Sequence, residues 1–255
     1  APPPCRTSSA VGMADAQDWA NLHAEYERCD LCPLLCKSRS SIVHGSGSGY
    51  APIMVIGESP GVQEDRSGEA FKGDAGQLLM NLIAKSWPAC TEMSDISTIT
   101  TDSRYFDALR DYLDDFIFWT NAVMCHPEDN REPNRTEVKN CLARLRREVY
   151  MVDPMLIIVA GKTAASIMVG KAVHISRQAG TLFDITIPSP ETGLSIRYPA
   201  LAIMDPSFLL RQGDAPLVDR KQGFTYATLQ HLQFGLRLMD IAHQKMFGCS
   251  FTERP

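Results

Sequence analysis

The sequence predicts a three-layer α/β/α sandwich around a central, mostly parallel four-stranded sheet. Three observations predict it. Four short apolar runs, Ile53 to Ile56, Phe116 to Val123, Met155 to Ala160 and Leu201 to Met204, are continuous rather than alternating, as strands covered on both faces are. Segments with helical spacing stand between the runs, as crossovers between parallel strands require. Gly57, Asn121 and Asp205 fall at the carboxyl ends of three of these strands, where such sheets bind ligands.

The elements follow in order. Trp19, Leu22 and Tyr26 mark a helix within residues 14 to 36 that runs into Cys29-Asp-Leu-Cys32 and the turn residue Pro33. The loop Gly45 to Gly49 precedes the first strand, which ends in the turn Gly57-Glu-Ser-Pro-Gly61. A helix follows over Gly76 to Ser86, then a polar stretch from Cys90 to Thr101 without a clear period, read as a loop or insertion. Tyr105 to Leu113 is helical, Phe116 to Val123 is the second strand, and Val138, Cys141, Leu145 and Val149 set a helix over 134 to 151, with Thr136 able to cap its start. That spacing puts Cys141 on the inward face. After the third strand Gly161 opens a helix through Val169; the fourth strand runs into Asp205-Pro-Ser-Phe-Leu-Leu-Arg211, and a last helix spans about 222 to 246.

Length and charge narrow the function classes. With 255 residues, 44% of them hydrophobic and 22% charged, the chain suits one sizeable domain over 14 to 255, preceded by a disordered leader or added remnant at 1 to 13. A formal net charge of -5 gives no overall positive field toward nucleic acid or an anionic membrane, so any DNA contact must be local. The apolar runs are far short of the roughly 20 residues of a membrane span. A soluble, intracellular monomer is the expectation.

Eight cysteines in such a chain argue for a metal site rather than a disulfide framework. Cys29 and Cys32, with Cys125 and Cys141, form two separated pairs that can close four thiolates around one centre. Spacing alone leaves zinc, an iron-sulfur cluster and no metal open. Cys36, Cys90 and Cys249 have no partner at ligand spacing and read as small hydrophobes or surface thiols. The glycines of Gly57 to Gly61 let backbone amides approach a ligand. No Walker or dinucleotide pattern is matched.

The colinear runs CDLCPLLCKSR, GSGSGYAPIMVIGESPGVQEDRSGEAFKGDAGQLL, TNAVMCHPEDNREPNRTEVKNC and DPMLIIVAGKTAASIMVG resemble the family 4 uracil-DNA glycosylases over about residues 26 to 211. The resemblance implies a 4Fe-4S cluster on Cys29, Cys32, Cys125 and Cys141. It implies that Glu58, after Gly57, positions the water or stabilises an oxocarbenium-like sugar, that a flipped base stacks on Phe71, and that Asn121 reads a pyrimidine edge. Without it, Glu58 reads as a turn residue, Phe71 as core and Asn121 as a strand-end cap.

The second family motif departs from the pattern. Asp205 stands where the family usually has histidine, while Ser207, Phe208, Leu209, Leu210 and Arg211 keep a wedge suited to the duplex gap and a phosphate contact. A histidine donor would stabilise charge on the leaving uracil; an ionised Asp205 would repel it, and a protonated one could donate. Ala179 also replaces an expected basic residue, and the Asn130-Arg131 turn lacks the basic loop of relatives that crosslink to DNA.

Three readings stay open. One is a glycosylase that flips uracil or a related modified pyrimidine from DNA and hydrolyses its glycosidic bond. Another is a catalytically inactive glycosylase-like DNA-binding or replication-associated scaffold that keeps the fold and cluster but has lost the reaction, with replication proteins as partners. The last is an enzyme whose Asp205 accepts from an amino or hydroxymethyl group on another base. Arg144, Arg146 and Arg147 read either as a phosphate-contacting cluster or as a solvated helix face paired with Glu148.

Overall fold

A computed structural model describes residues 14–87, 103–189, 192–212 and 223–247. The leader at 1 to 13, the whole polar stretch from Cys90 to Thr101, and Cys5, Cys90 and Cys249 lie outside them. In chain order the elements are α1 (Ala16–Tyr26), α2 (Pro33–Ser38), β1 (Ser46–Gly47), β2 (Ile53–Gly57), α3 (Val62–Ser67), α4 (Asp74–Ser86), α5 (Ser103–Asp114) and β3 (Ile117–Asn121). After a 3-10 turn at Glu128–Asn130 come α6 (Arg135–Val152), β4 (Leu156–Ala160), α7 (Lys162–Val169), α8 (Ile175–Gln178), β5 (Leu182–Pro188), β6 (Ser195–Ile203), α9 (Pro206–Arg211) and α10 (Phe224–Phe247).

The strands form one sheet in the order β1-β3-β2-β4-β6-β5. The central four, β3, β2, β4 and β6, are parallel, and they are the four apolar runs of the sequence. The sheet has six described strands rather than four because β1 and β5 add antiparallel edges. Neither edge carries a continuous apolar run: β1 is two small residues, and β5 buries only alternate side chains, as an edge strand with one wet face does.

Alternate residues of the central strands feed two cores. Ile53, Val55, Ile117, Trp119, Ile158 and Leu201 pack under α4 and α10 against Leu79, Ile83, Leu232 and Leu236. Met54, Ile56, Phe118, Ile157 and Val159 pack on the other face against Leu145 and Val149 of α6 and Ala164 and Ala165 of α7. These are the three layers the sequence predicts. A third cluster joins Leu22, Tyr26 and Leu35 to Cys32, Cys125 and Cys141. Among the described residues no helix is long and apolar enough to cross a membrane.

Helix α6 differs from expectation at two places. Its cap is Asn134, whose side chain accepts from the amides of Thr136 at 2.9 Å and Glu137 at 3.0 Å, while Glu137 reaches back to the Asn134 amide at 2.8 Å. Thr136 sits inside the first turn. The arginine triple is not one solvated face: Arg144 is 1% exposed, on the same inward face as Cys141, Leu145 and Glu148, and Arg147 pairs with Glu25 of α1. Only Arg146 of the three is exposed. Residues 141, 144, 145 and 148 are three or four apart, so helical geometry carries Arg144 inward with the apolar stripe.

Candidate active site and cysteine cluster

Strands β2 and β3 end side by side, with Gly57 paired to Asn121 in the parallel register. A Cβ on Gly57 would lie 2.3 Å from Asn121 Oδ1 and 2.9 Å from Phe71 Cζ. The missing side chain is what lets an amide and an aromatic ring converge on the end of the sheet. Asn121 is two residues beyond Trp119, so both face the same side, and the Phe71 ring lies 5.5 Å from that of Trp119, tilted by 50°. Asn121 and Phe71 are buried, at 6% and 9% exposure.

Phe71 has a φ of 59°, a conformation rare for a bulky residue and characteristic of sites held under strain. The fold holds it from both sides. Gly76 permits the turn, because a Cβ there would lie 1.9 Å from the Phe71 carbonyl oxygen. The buried Glu64 carboxylate accepts from the amides of Gly61 at 3.1 Å and Gly73 at 2.7 Å, tying the turn after β2 to the Phe71 loop. Gly57→Ala is therefore expected to drive Asn121 and Phe71 apart. A stability loss of about 1–3 kcal/mol from overpacking should follow, read by thermal melting.

Glu58 follows Gly57 and is half-buried. Burial pushes its carboxyl above the ordinary glutamate range, a hydrogen bond from the Thr163 hydroxyl opposes the shift, Glu132 and Asp205 add to it, and Lys162 counters it. Asp205, at the end of β6, is thus within electrostatic reach of Glu58. It caps α9, its carboxylate accepting from the Ser207 amide at 2.8 Å. That oxygen is thereby engaged as an acceptor at the helix start. Gly161, with φ 90°, brings the start of α7 against it: a Cβ there would lie 3.1 Å from Asp205 Cβ. Gly161, Lys162 and Thr163 escaped the sequence reading of the site. The signal was present, a Gly-Lys-Thr directly after an apolar strand.

The expected wedge divides by burial. Leu209 is 5% exposed in the core, Phe208 packs on the same cluster with its ring 5.5 Å from Phe224, and Ser207 is half-buried. Leu210, at 44% exposure, and Arg211 face solvent. Ala179 caps the end of α8.

The four cysteines come from three segments. Cys32 opens α2, Cys125 lies in the turn after β3, Cys141 is in α6, and Cys29 packs against the cluster they share. N–H donors approach their sulfurs: Arg39 Nη1 reaches Cys125 Sγ at 3.1 Å, Asn140 Nδ2 reaches Cys32 Sγ at 3.3 Å, and the Met124 amide reaches Cys141. Burial raises all three thiols, Cys125 to about 11 against the pull of Arg39. An all-sulfur set ringed by N–H donors fits a thiolate-held group, whose binding displaces these protons. Among the described residues no three His, Cys, Asp or Glu side chains converge as they would on a single metal ion. Arg39 Nη2 also donates to the Cys29 carbonyl at 2.6 Å. His126, next to Cys125, is 2.9 Å through Nδ1 from the Pro60 carbonyl, which joins the cysteine turn to the turn carrying Glu58.

The family model of the uracil DNA glycosylase superfamily matches residues 44–232. The chain is 31% identical over 191 residues to a type-4 uracil-DNA glycosylase of Pyrobaculum aerophilum, covering 73% of this chain and 85% of that protein. It is 33% identical over 147 residues to a type-4 uracil-DNA glycosylase of Saccharolobus solfataricus, covering 58% and 57%. A more distant likeness, 25% over 141 residues, covers 55% of this chain and 13% of a DNA polymerase of Bacillus phage SP01. With a mostly parallel sheet whose strand ends gather the residues of these motifs, the chain belongs to the type-4 uracil-DNA glycosylases of the uracil DNA glycosylase superfamily.

Proposed function

We propose that the protein flips uracil out of DNA and hydrolyses its N-glycosidic bond. The observation that carries this reading is the convergence of the Phe71 ring and the Asn121 amide over Gly57. An aromatic face and one group able both to donate and to accept suit a pyrimidine taken out of the stack, with the amide paired to uracil O4 and N3–H. Glu58 supplies the negative charge that orients water or stabilises the cationic sugar. Exposed Leu210 fills the gap left in the DNA, and Arg211 meets a phosphate, with Ser207, the partly buried Phe208 and the buried Leu209 supporting them. Cys29, Cys32, Cys125 and Cys141 hold a 4Fe-4S cluster, which when bound would crosslink the turn after α1, the turn after β3 and α6.

The test is release of free base from a single-stranded oligonucleotide carrying one uracil, by the protein purified without oxygen. Release supports hydrolysis; binding without release overturns it. The rate also has an expected pH dependence. Glu58 acts ionised, and burial raises its pKa, so activity is present above that value and is lost as pH falls through it. The acid limb of the rate profile should therefore lie above the ordinary glutamate range. A limb within that range would remove Glu58 from the role.

A second reading, a DNA-holding module without the reaction, is favoured by the Asp205 carboxylate where a donor is wanted and by the likeness to part of a phage polymerase. Binding of DNA with no base release even after prolonged incubation would select it.

A further inference from the structure

We propose that Arg144 is a positioning residue for base recognition, fixing the end of β3 so that the Asn121 amide addresses the base. The inference deepens the reading of Asn121 given above and rests on it. Arg144 is 1% exposed, and a buried guanidinium needs its charge and most of its donors met: Nη1 and Nη2 find partners, while Nε and Glu148 Oε1 have none among the described residues. Glu148, 0% exposed and one turn along α6, meets the charge: its Oε2 accepts from Arg144 Nη1 at 2.5 Å and from the Thr120 hydroxyl at 2.8 Å, and Thr120 Oγ1 accepts from Arg144 Nη1 at 2.9 Å.

The other arm of the guanidinium does different work. Nη2 donates to the Asn121 carbonyl at 2.6 Å and, more weakly, to that of Ala122 at 3.4 Å. Asn121 is the last residue of its strand, and past it the Ala122 amide still donates to the Gly57 carbonyl at 2.9 Å and the Val123 amide to that of Glu58 at 3.0 Å. The Asn121 carbonyl itself is held by a side chain on a helix from the opposite face of the sheet. With the Ala122 amide on Gly57 at one side of that peptide, the arginine bond on the Asn121 carbonyl locks the other side, and the locked plane constrains the direction of the Asn121 Cα–Cβ bond. The Asn121 amide already has little latitude, being set against Gly57 and the Phe71 ring. A rotation of the peptide by a fraction of an ångström would take it off a pyrimidine edge, and misplacement of about 1 Å costs about a hundredfold in such sites.

The charge pair alone does not require this arrangement. An Arg–Glu pair at i, i+4 satisfies itself on one helix, and an apolar pair of similar volume would serve packing as well. The fork of arginine does what no lysine can do, holding Glu148 with one nitrogen and the Asn121 carbonyl with another.

The test uses single-stranded oligonucleotides that carry either 2′-fluoro-deoxyuridine, which resists hydrolysis, or 2′-fluoro-deoxycytidine at one position. The ratio of their dissociation constants reads base discrimination without requiring turnover. Because Arg144→Met alone leaves Glu148 buried and unpaired and can unfold the chain, the deciding variant is Arg144→Met with Glu148→Met, which keeps the volume and removes both charges. Arg144→Lys with Glu148 intact is its companion, and Arg147→Gln, which cuts the pair with Glu25, is the control.

The expected result is a uracil preference in the parent that falls about tenfold or more in the double variant and in Arg144→Lys, with affinity for the cytosine oligonucleotide within about twofold and Arg147→Gln unchanged. A merely structural role would lower both affinities together or neither. Retention of the parent ratio in a folded double variant overturns the positioning role and leaves Asn121 as the reader. A parent with no preference for uracil overturns the reading of Asn121, and the inference with it.

Discussion

Replacing Asp205 by histidine is expected to raise uracil release by about a hundred- to a thousandfold, the range associated with one donor to a developing oxyanion. The argument starts from what Asp205 does. Its Oδ1 accepts from the Ser207 amide at the head of α9, so the side chain works there as an acceptor, where a leaving base needs a donor. Negative charge accumulating on uracil O2 would meet a second negative charge rather than a hydrogen bond. Histidine removes the repulsion and adds the donor. Its cost to folding is the lost cap, about 1 kcal/mol, moderated by Pro206 at the first position of the helix, which needs no hydrogen bond.

A second readout separates this effect from a general improvement in folding. Asp205 is one of the groups that push the Glu58 carboxyl upward, after burial and Glu132. Removing its charge lowers the Glu58 pKa, so the acid limb of the rate profile should move to lower pH in Asp205→His than in the parent. A variant that melts like the parent, releases no more uracil and keeps the same limb would show that the site has lost more than a donor, and the DNA-holding reading would stand.

The strands that carry the site were legible because burial on both faces writes itself as an unbroken apolar run, and the glycines and Asn121 follow those runs directly. The edge strands were not: β1 is too short for any pattern, and β5 alternates like any half-wet segment. The site's supporting residues were hidden for another reason. Arg39 donates to a sulfur 86 positions away and Asn140 to one 108 positions away, so neither has a local signal. Arg144 shows the limit most clearly, since three arginines in four positions read as a surface, and only the phase of α6 against the sheet turns one of them into the core. Composition says that a charge is present; the helix phase decides whether it meets water or a strand end.

The second large expected effect is loss of a ligand of the proposed cluster. Cys125→Ser, purified without oxygen, is expected to lose the brown iron-sulfur chromophore and its iron, whereas Cys36→Ser keeps both. Cys36 is the sharper control because it lies on α2 beside the ligand set, yet its thiol is engaged only in a long contact, 3.7 Å, to the Cys29 carbonyl. The mechanical consequence is regional. Helix α1 buries only Leu22 and Tyr26, with Trp19 partly buried, and α2 only Leu35, so the 14–39 segment has few apolar anchors, while the two cores that flank the sheet contain no cysteine. Without the crosslink, amide protection in α1 should fall by about 2 kcal/mol or more, roughly thirtyfold in exchange rate, while β2 and β4 keep the protection of the parent. Uniform loss of protection would mean that the cysteines anchor the whole fold, and iron retained by Cys125→Ser but lost by Cys36→Ser would reassign the fourth ligand.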